Sequence, residues 1–284
     1  MTSMQIIDRG SGPPLVLIPG LQGRWEYLRP AVDALSASFR VLTFSLDTVR
    51  LKPDTTYGPD TTDGPNTTDG LDRYAEQVSS VLTANGIRRA TMCGVSFGGL
   101  IAVRFAAQNP ARCDALILAS TPRPALRLRP RHRLYLRAPW VFGPLFLVET
   151  PWRLRPEIRS AIPDARARRQ FSVRALRTLF DAPLSLSQMA ARARMASSID
   201  VGPDCARITA PTLVLTGERG LDHVVPVEGS LEYLRLIHDA RAVVLERTGH
   251  LGSITRPDAF AALVRAFTVD VGATHGSAPT GRVA

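Results

Sequence analysis

This chain of 284 residues has few cysteines, a single lysine and no apolar run of membrane-spanning length. Cys93, Cys113 and Cys205 are scattered and odd in number. That argues against a disulfide framework or a cysteine-built metal site, and for buried free thiols in a reducing compartment. The longest apolar stretch, Pro139 to Val148, is about half of what a bilayer span needs, so no transmembrane helix is expected. The opening residues Met1-Thr2-Ser3-Met4-Gln5 show no basic region followed by an apolar core. No signal peptide is therefore expected, and the glycosylation pattern Asn66-Thr67-Thr68 carries no meaning without secretion. A cytoplasmic location fits these absences. Lysine is nearly absent too, Lys52 being the only one. Codon usage alone produces such a bias, so the choice of arginine over lysine says little.

What is present is a large apolar fraction, 45% of residues, enough for a substantial core. The length allows one large domain, or one domain with an insertion. The net charge of +10 is unevenly placed: between Thr121 and Asp200 sixteen arginines face Glu149, Glu157, Asp164, Asp181 and Asp200. The remainder is close to neutral. Arginines around an apolar patch suit an acidic acyl-carrier protein, an anionic substrate or an anionic membrane surface; a solvated helical face is the plainer reading. No nucleic-acid recognition module accompanies the charge, so nucleic acid is not an expected partner.

Apolar runs alternate with amphipathic stretches along the chain. Strands are predicted at Leu15–Ile18, Phe39–Leu46, Ala90–Cys93, Ala115–Leu118, Thr212–Leu215 and Ala242–Leu245. Helices are predicted at Pro30–Ala37, Leu71–Ala84, Leu100–Ala107, Pro226–His238 and Pro257–Phe267. This alternation implies a mostly parallel sheet with helices on both faces, an α/β fold. Two segments break the rhythm. Residues 53–70 are a threefold hexad (Pro53 to Gly58, Pro59 to Gly64, Pro65 to Gly70) with almost no apolar residue. Its aspartates allow a calcium-binding turn array, but eighteen such residues cannot build a solenoid, and a duplicated surface loop is the reading adopted. The interval from Ser120 to Thr212 far exceeds the dozen or so residues that a parallel crossover needs. Residues 121–200 are therefore read as an inserted helical cap with Pro139–Val148 as its apolar centre. Residues 1–120 and 201–270 form the core, and 271–284 a small, polar, disordered tail.

Chemistry concentrates in Gly94-Val95-Ser96-Phe97-Gly98-Gly99. A serine between a predicted strand and a predicted helix, flanked by glycines, is the nucleophile-elbow pattern. The glycines let the backbone fold tightly and the hydroxyl project. Such a serine needs a base, and the base an orienting acid. Of His132, His223, His238, His250 and His275, His250 stands in a loop after a strand, where ligands bind in open parallel sheets. The acid is Asp222, four residues before Pro226, with Glu218 as its rival. The order Ser96, Asp222, His250 is the one this elbow type uses.

With Pro19-Gly20-Leu21-Gln22-Gly23, Asp222-His223-Val224-Val225-Pro226 and Gly249-His250 added to the elbow, the chain resembles the α/β-hydrolase superfamily in its capped, esterase-like form. The resemblance runs from about Gln5 to Thr268, outside the repeat and most of the cap. It implies that the backbone N–H groups of Leu21 and Phe97 form the oxyanion hole, and that no metal or organic cofactor is needed. Carboxylic ester hydrolysis through an acyl-enzyme intermediate is the expected activity. Amide, lactone or carbon–carbon hydrolysis and perhydrolysis are open to the same triad, and ligand reception without catalysis is the alternative of a different class. Ser96 argues against the epoxide hydrolases and haloalkane dehalogenases of this fold, which carry aspartate at the elbow. Phe97 stands where proline iminopeptidases usually have tryptophan. Two departures are Pro19, where relatives often have histidine, and Asp47-Thr48-Val49-Arg50, which runs into the repeat instead of an Asp-x-Arg-Gly-x-Gly loop.

Overall fold

The structure, a computed structural model, describes residues 5–48, 67–126 and 139–275, with side chains over 5–48, 70–126 and 149–273. Most of the hexad repeat, the arginines from 127 to 137, His132, the side chains of the apolar segment 139–148 and the tail beyond 275 lie outside the described residues.

Seven strands form one sheet: β1 (Ile6–Arg9), β2 (Pro14–Ile18), β3 (Arg40–Phe44), β4 (Ala90–Val95), β5 (Cys113–Ala119), β6 (Thr212–Thr216) and β7 (Ala240–Val244). Their order is β1-β3-β2-β4-β5-β6-β7. Every pairing is parallel except that of β1 with β3. Strand β1 went unread in the sequence because only two of its four residues are apolar. It is held at the edge by the Arg40–Asp8 fork, with Nε and Nη2 both donating to the carboxylate.

The longer helices are α1 (Arg29–Leu35), α2 (Thr67–Ala84), α3 (Phe97–Gln108), α4 (Pro139–Ala161), α5 (Ala165–Asp181), α6 (Leu186–Ser198) and α7 (Pro257–His275). Alternate residues of each strand point to opposite faces. Val16, Ile18, Leu42 and Phe44 accordingly pack with α2 and α3, and Leu15, Leu17 and Val41 with α1 and α7. All three cysteines are buried and free. Burial pushes the thiols of Cys93, Cys113 and Cys205 up to about 12, so they act as small apolar side chains. No helix among the described residues is long and apolar enough to cross a membrane.

Three boundaries differ from the sequence reading. Helix α2 starts at Thr67, so the last four residues of the repeat are helical rather than loop. Helix α7 runs to His275, five residues into the expected tail, because Val271 still packs against the core. The expected helix Pro226–His238 is two short turns, Val227–Ser230 and Tyr233–Leu236. Tyr233, fully buried with its hydroxyl donating to the Pro122 carbonyl, fixes the second turn.

The long insertion leaves the sheet after β5 and returns before β6. Its two stems meet through an antiparallel bridge of Ala125 with Asp200, and the Val201 N–H donates to the Pro124 carbonyl at 3.1 Å. Helices α5 and α6 start on side-chain caps: Asp164 accepts from Ala167 N–H at 2.7 Å, and Ser185 from Gln188 N–H at 3.4 Å. Helix α5 buries no residue.

Candidate active site

Strand β4 delivers Ser96 into a left-handed conformation, with φ 55° and ψ −121°. A non-glycine residue held there stores about 1–3 kcal/mol of strain, and the surroundings must over-determine it. They do. The Ser96 N–H donates to the Ala119 carbonyl at 2.8 Å, and the Gly99 N–H donates to the Ser96 carbonyl at 2.9 Å. Neither Gly94 nor Gly98 could carry a side chain: a Cβ on Gly94 would lie 2.4 Å from the Gly98 oxygen, and one on Gly98 would lie 2.3 Å from the Ile18 oxygen. The elbow therefore packs directly on the end of β2.

Beyond β2, Gly20 to Gly23 form a turn closed by the Gly23 N–H on the Gly20 carbonyl at 2.9 Å. The turn lies against the serine, since a Cβ on Gly20 would be 3.3 Å from that of Ser96. Closure of the turn does not use the Leu21 N–H. The Phe97 N–H opens α3 and has no intrahelical acceptor. Leu21 and Phe97 thus stand on two backbone segments that meet at Ser96.

Asp222 and His250 come together at the same, carboxyl-terminal edge of the sheet. Asp222 is 8% exposed, and its Oδ1 accepts from the N–H groups of Val224 at 2.9 Å and Val225 at 2.8 Å. These bonds turn Oδ2 toward His250, 3.5 Å from Nδ1. The contact falls short of a hydrogen bond, and Nδ1 has no hydrogen-bond partner among the described residues. Such contacts commonly tighten with substrate in place. A void of about 10 Å³, room for roughly one water, lies between Val95, Ala119, Gly217, Gly249 and His250.

The rival acid has a different task. Glu218 Oε1 accepts from the Arg247 N–H at 2.6 Å and braces a turn in which Arg247 has φ 59°. His223 and His238 are exposed, and the His223 carbonyl accepts from Arg153 at 2.6 Å. Only the backbone of His275 is described, at the end of α7.

Two charged cap residues reach the site without any signal in the sequence. Arg192 on α6 is buried and donates to the Leu21 carbonyl at 3.0 Å. Nothing local separates it from the other arginines of the insertion. Glu157 on α4 is fully buried, and its Oε1 accepts from the Leu251 N–H at 2.6 Å. Desolvation by burial pushes its carboxyl above the ordinary range, with N–H donation from Gly249 and Leu251 and the nearby His250 pulling the other way.

Glu157 therefore binds its proton more tightly in the folded chain than in the unfolded one. Stability on its account is highest below the ordinary value of 4.5 and declines as pH rises through the raised one. Glu157→Gln keeps an acceptor for Leu251 and removes the charge. Melting temperatures measured between about pH 4 and 8 are expected to fall less steeply with pH in this variant than in the wild type. An equal slope contradicts the assignment.

Comparison with known proteins agrees with this architecture. The sequence model of the alpha/beta hydrolase family matches residues 15–263. Among curated proteins, the chain is 26% identical over 258 residues to one from Stutzerimonas stutzeri (strain A1501) named "Putative carbamate hydrolase RutD", covering 87% of this chain and 88% of the relative. Among solved structures, a bromoperoxidase from Bacillus anthracis superposes with a TM-score of 0.71 at 20% identity, over 94% of this chain and 96% of that one. The enol-lactonase from Burkholderia xenovorans LB400 gives 0.65 at 22% identity, over 94% and 96%. Two-sided sheet, elbow and family match agree: the chain belongs to the alpha/beta hydrolase family.

Proposed function

We propose that this hydrolase cleaves a carboxylic ester through an acyl-enzyme intermediate on Ser96. The Ser96 hydroxyl attacks the carbonyl carbon as His250 Nε2 accepts its proton. Asp222 holds the Nδ1–H tautomer and stabilises the imidazolium. The negative charge that develops on the carbonyl oxygen is met by the N–H groups of Leu21 and Phe97, each such donor contributing about 3–4 kcal/mol to the transition state. His250 then protonates the leaving alcohol, and water, activated in the same way, releases the acid.

The observation that carries this reading is the Asp222–His250 contact at the sheet edge that also presents a strained Ser96. A fluorophosphonate probe is expected to label the wild-type protein on the peptide containing Ser96. Labelling elsewhere, or none, sinks the reading. A carbamate, whose carbonyl is open to the same attack, is the second substrate class, favoured by the name of the Stutzerimonas stutzeri relative. Parallel assays on p-nitrophenyl esters and carbamates separate the two.

The exposed face of α5 supports a proposal about delivery. Arg166, Arg169, Arg174 and Arg177 are exposed there beside Val173, Leu176 and Phe180, the last 76% exposed. We propose that this face binds a negatively charged partner, an acidic acyl-carrier protein being the form that also brings an acyl group to Ser96. Attraction between exposed charges is screened over a Debye length of about 8 Å at physiological salt. Turnover of a carrier-bound acyl group is expected to fall several-fold on raising salt, while that of a small neutral ester is unchanged. Equal, salt-insensitive rates on both remove the proposal.

A further inference from the structure

Arg192 is 3% exposed and forms no ion pair among the described residues. Burying an unpaired cation is expensive, and this one is retained by neutral oxygens alone. Nε donates to the Tyr74 hydroxyl at 3.0 Å. Nη1 donates to the carbonyls of Leu21 at 3.0 Å and Gln22 at 3.2 Å. Nη2 donates to those of Leu46 at 3.4 Å and Asp47 at 3.3 Å. A guanidinium has five N–H groups, and each has an acceptor here.

The acceptors share one destination. Leu21 and Gln22 are the central residues of the turn that lies against Ser96, and the Gly23 carbonyl of that turn accepts from the Leu46 N–H at 2.7 Å. Tyr74 stacks edge-on against Phe97, with ring centroids 5.9 Å apart and planes at 86°. One cap side chain thus touches the Leu21 segment directly and the Phe97 segment through Tyr74. The site is shaped around it: a Cβ on Gly23, which has φ +69°, would lie 2.3 Å from Nη1. The cap sequence and the oxyanion turn therefore depend on each other.

We infer that Arg192 is a positioning residue for the oxyanion hole, contributed by the cap. It holds the carbonyls of Leu21 and Gln22, and so the turn around them, in the conformation in which the Leu21 N–H, one peptide unit upstream, faces the carbonyl oxygen of the bound substrate. Its positive charge, buried behind the turn, favours the oxyanion over the neutral carbonyl. Such an interaction grows as charge develops, so it acts on kcat and little on KM. The inference rests on the serine-hydrolase reading above.

The test measures kcat and KM on a p-nitrophenyl ester, melting temperature and Ser96 labelling for wild type, Arg192→Lys and Arg192→Ala. With wild type active and labelled, Arg192→Lys is expected to lose about 10-fold in kcat and Arg192→Ala about 10²–10³-fold, the range for losing an oxyanion donor. KM is expected to stay within about threefold, and added guanidinium to restore part of the kcat of Arg192→Ala. A folded Arg192→Ala with wild-type kcat overturns the inference. So does a loss that appears equally in KM and is not restored by guanidinium. If Arg192→Ala does not fold, Arg192→Lys decides alone: unchanged kcat overturns the inference, and reduced kcat at constant KM supports it. An inactive, unlabelled wild type is a different outcome, since it removes the serine-hydrolase reading and this inference with it.

Discussion

Ser96→Ala is expected to lose about 10⁶-fold in kcat for ester hydrolysis, the scale seen when the nucleophile of a serine triad is removed. Its melting temperature is expected to match the wild type. The two halves of this outcome have separate causes. Chemistry is lost because alanine has no hydroxyl to attack the carbonyl carbon from the elbow turn. Stability is kept because the bonds that hold residue 96 are made by its backbone: the N–H on Ala119 and the carbonyl that receives the Gly99 N–H. Alanine also keeps the Cβ, so the left-handed strain at φ 55° is unchanged. Ser96→Gly provides the contrast. Glycine adopts that conformation freely, so this variant is expected to be equally inactive and to melt above Ser96→Ala. Retained ester turnover in either variant overturns the nucleophile assignment, and a Ser96→Gly that melts below Ser96→Ala overturns the strain.

Asp222→Asn is expected to cost about 10⁴-fold in kcat at neutral pH, as in the serine-protease template where the same change leaves the imidazole in the wrong tautomer. The fold is expected to survive. The Asn oxygen still accepts from Val224 and Val225, as Asp222 Oδ1 does. What changes is the group facing His250 Nδ1, where an amide NH₂ replaces Oδ2. Asp222→Ala removes the acceptor of both N–H groups as well, and is expected to lose a further 1–3 kcal/mol of stability. Glu218→Gln is the control. Its side chain holds the Arg247 turn rather than the imidazole, so kcat is expected to stay within a few-fold of wild type. A large loss in Glu218→Gln with little in Asp222→Asn reverses the assignment. Rates on p-nitrophenyl esters with matched melting curves decide between them.

Legibility in the sequence followed the range of the interaction. The elbow was readable because its requirements are met by neighbours: Gly94, Gly98 and Gly99 surround Ser96 within a few residues, and each excludes a side chain. Strands β2 to β6 were readable because burial on both faces leaves continuous apolar runs. The apolar run Ala242–Leu245 misses the first two residues of β7, Ala240 and Arg241, because this edge strand is mostly exposed. The sequence favours Asp222 over Glu218 by its place four residues before Pro226, without showing what separates the two carboxylates. Both lie in the loop after β6, and only the geometry of Val224 and Val225 sends one carboxylate toward His250.

The cap divides most sharply. Composition marks residues 121–200 as basic, the alternation of apolar runs points to a parallel α/β core, the glycine-flanked Ser96 to an elbow, and the long interval from Ser120 to Thr212 to an insertion. Only the tertiary structure decided which of its charges are internal. Arg192 meets Leu21 across 171 positions of sequence, and Glu157 meets Leu251 across 94. Periodicity and local propensity describe a residue by its neighbours in the chain, whereas these two owe their roles to carbonyl and amide groups that reach them only when the cap closes on the ends of the strands.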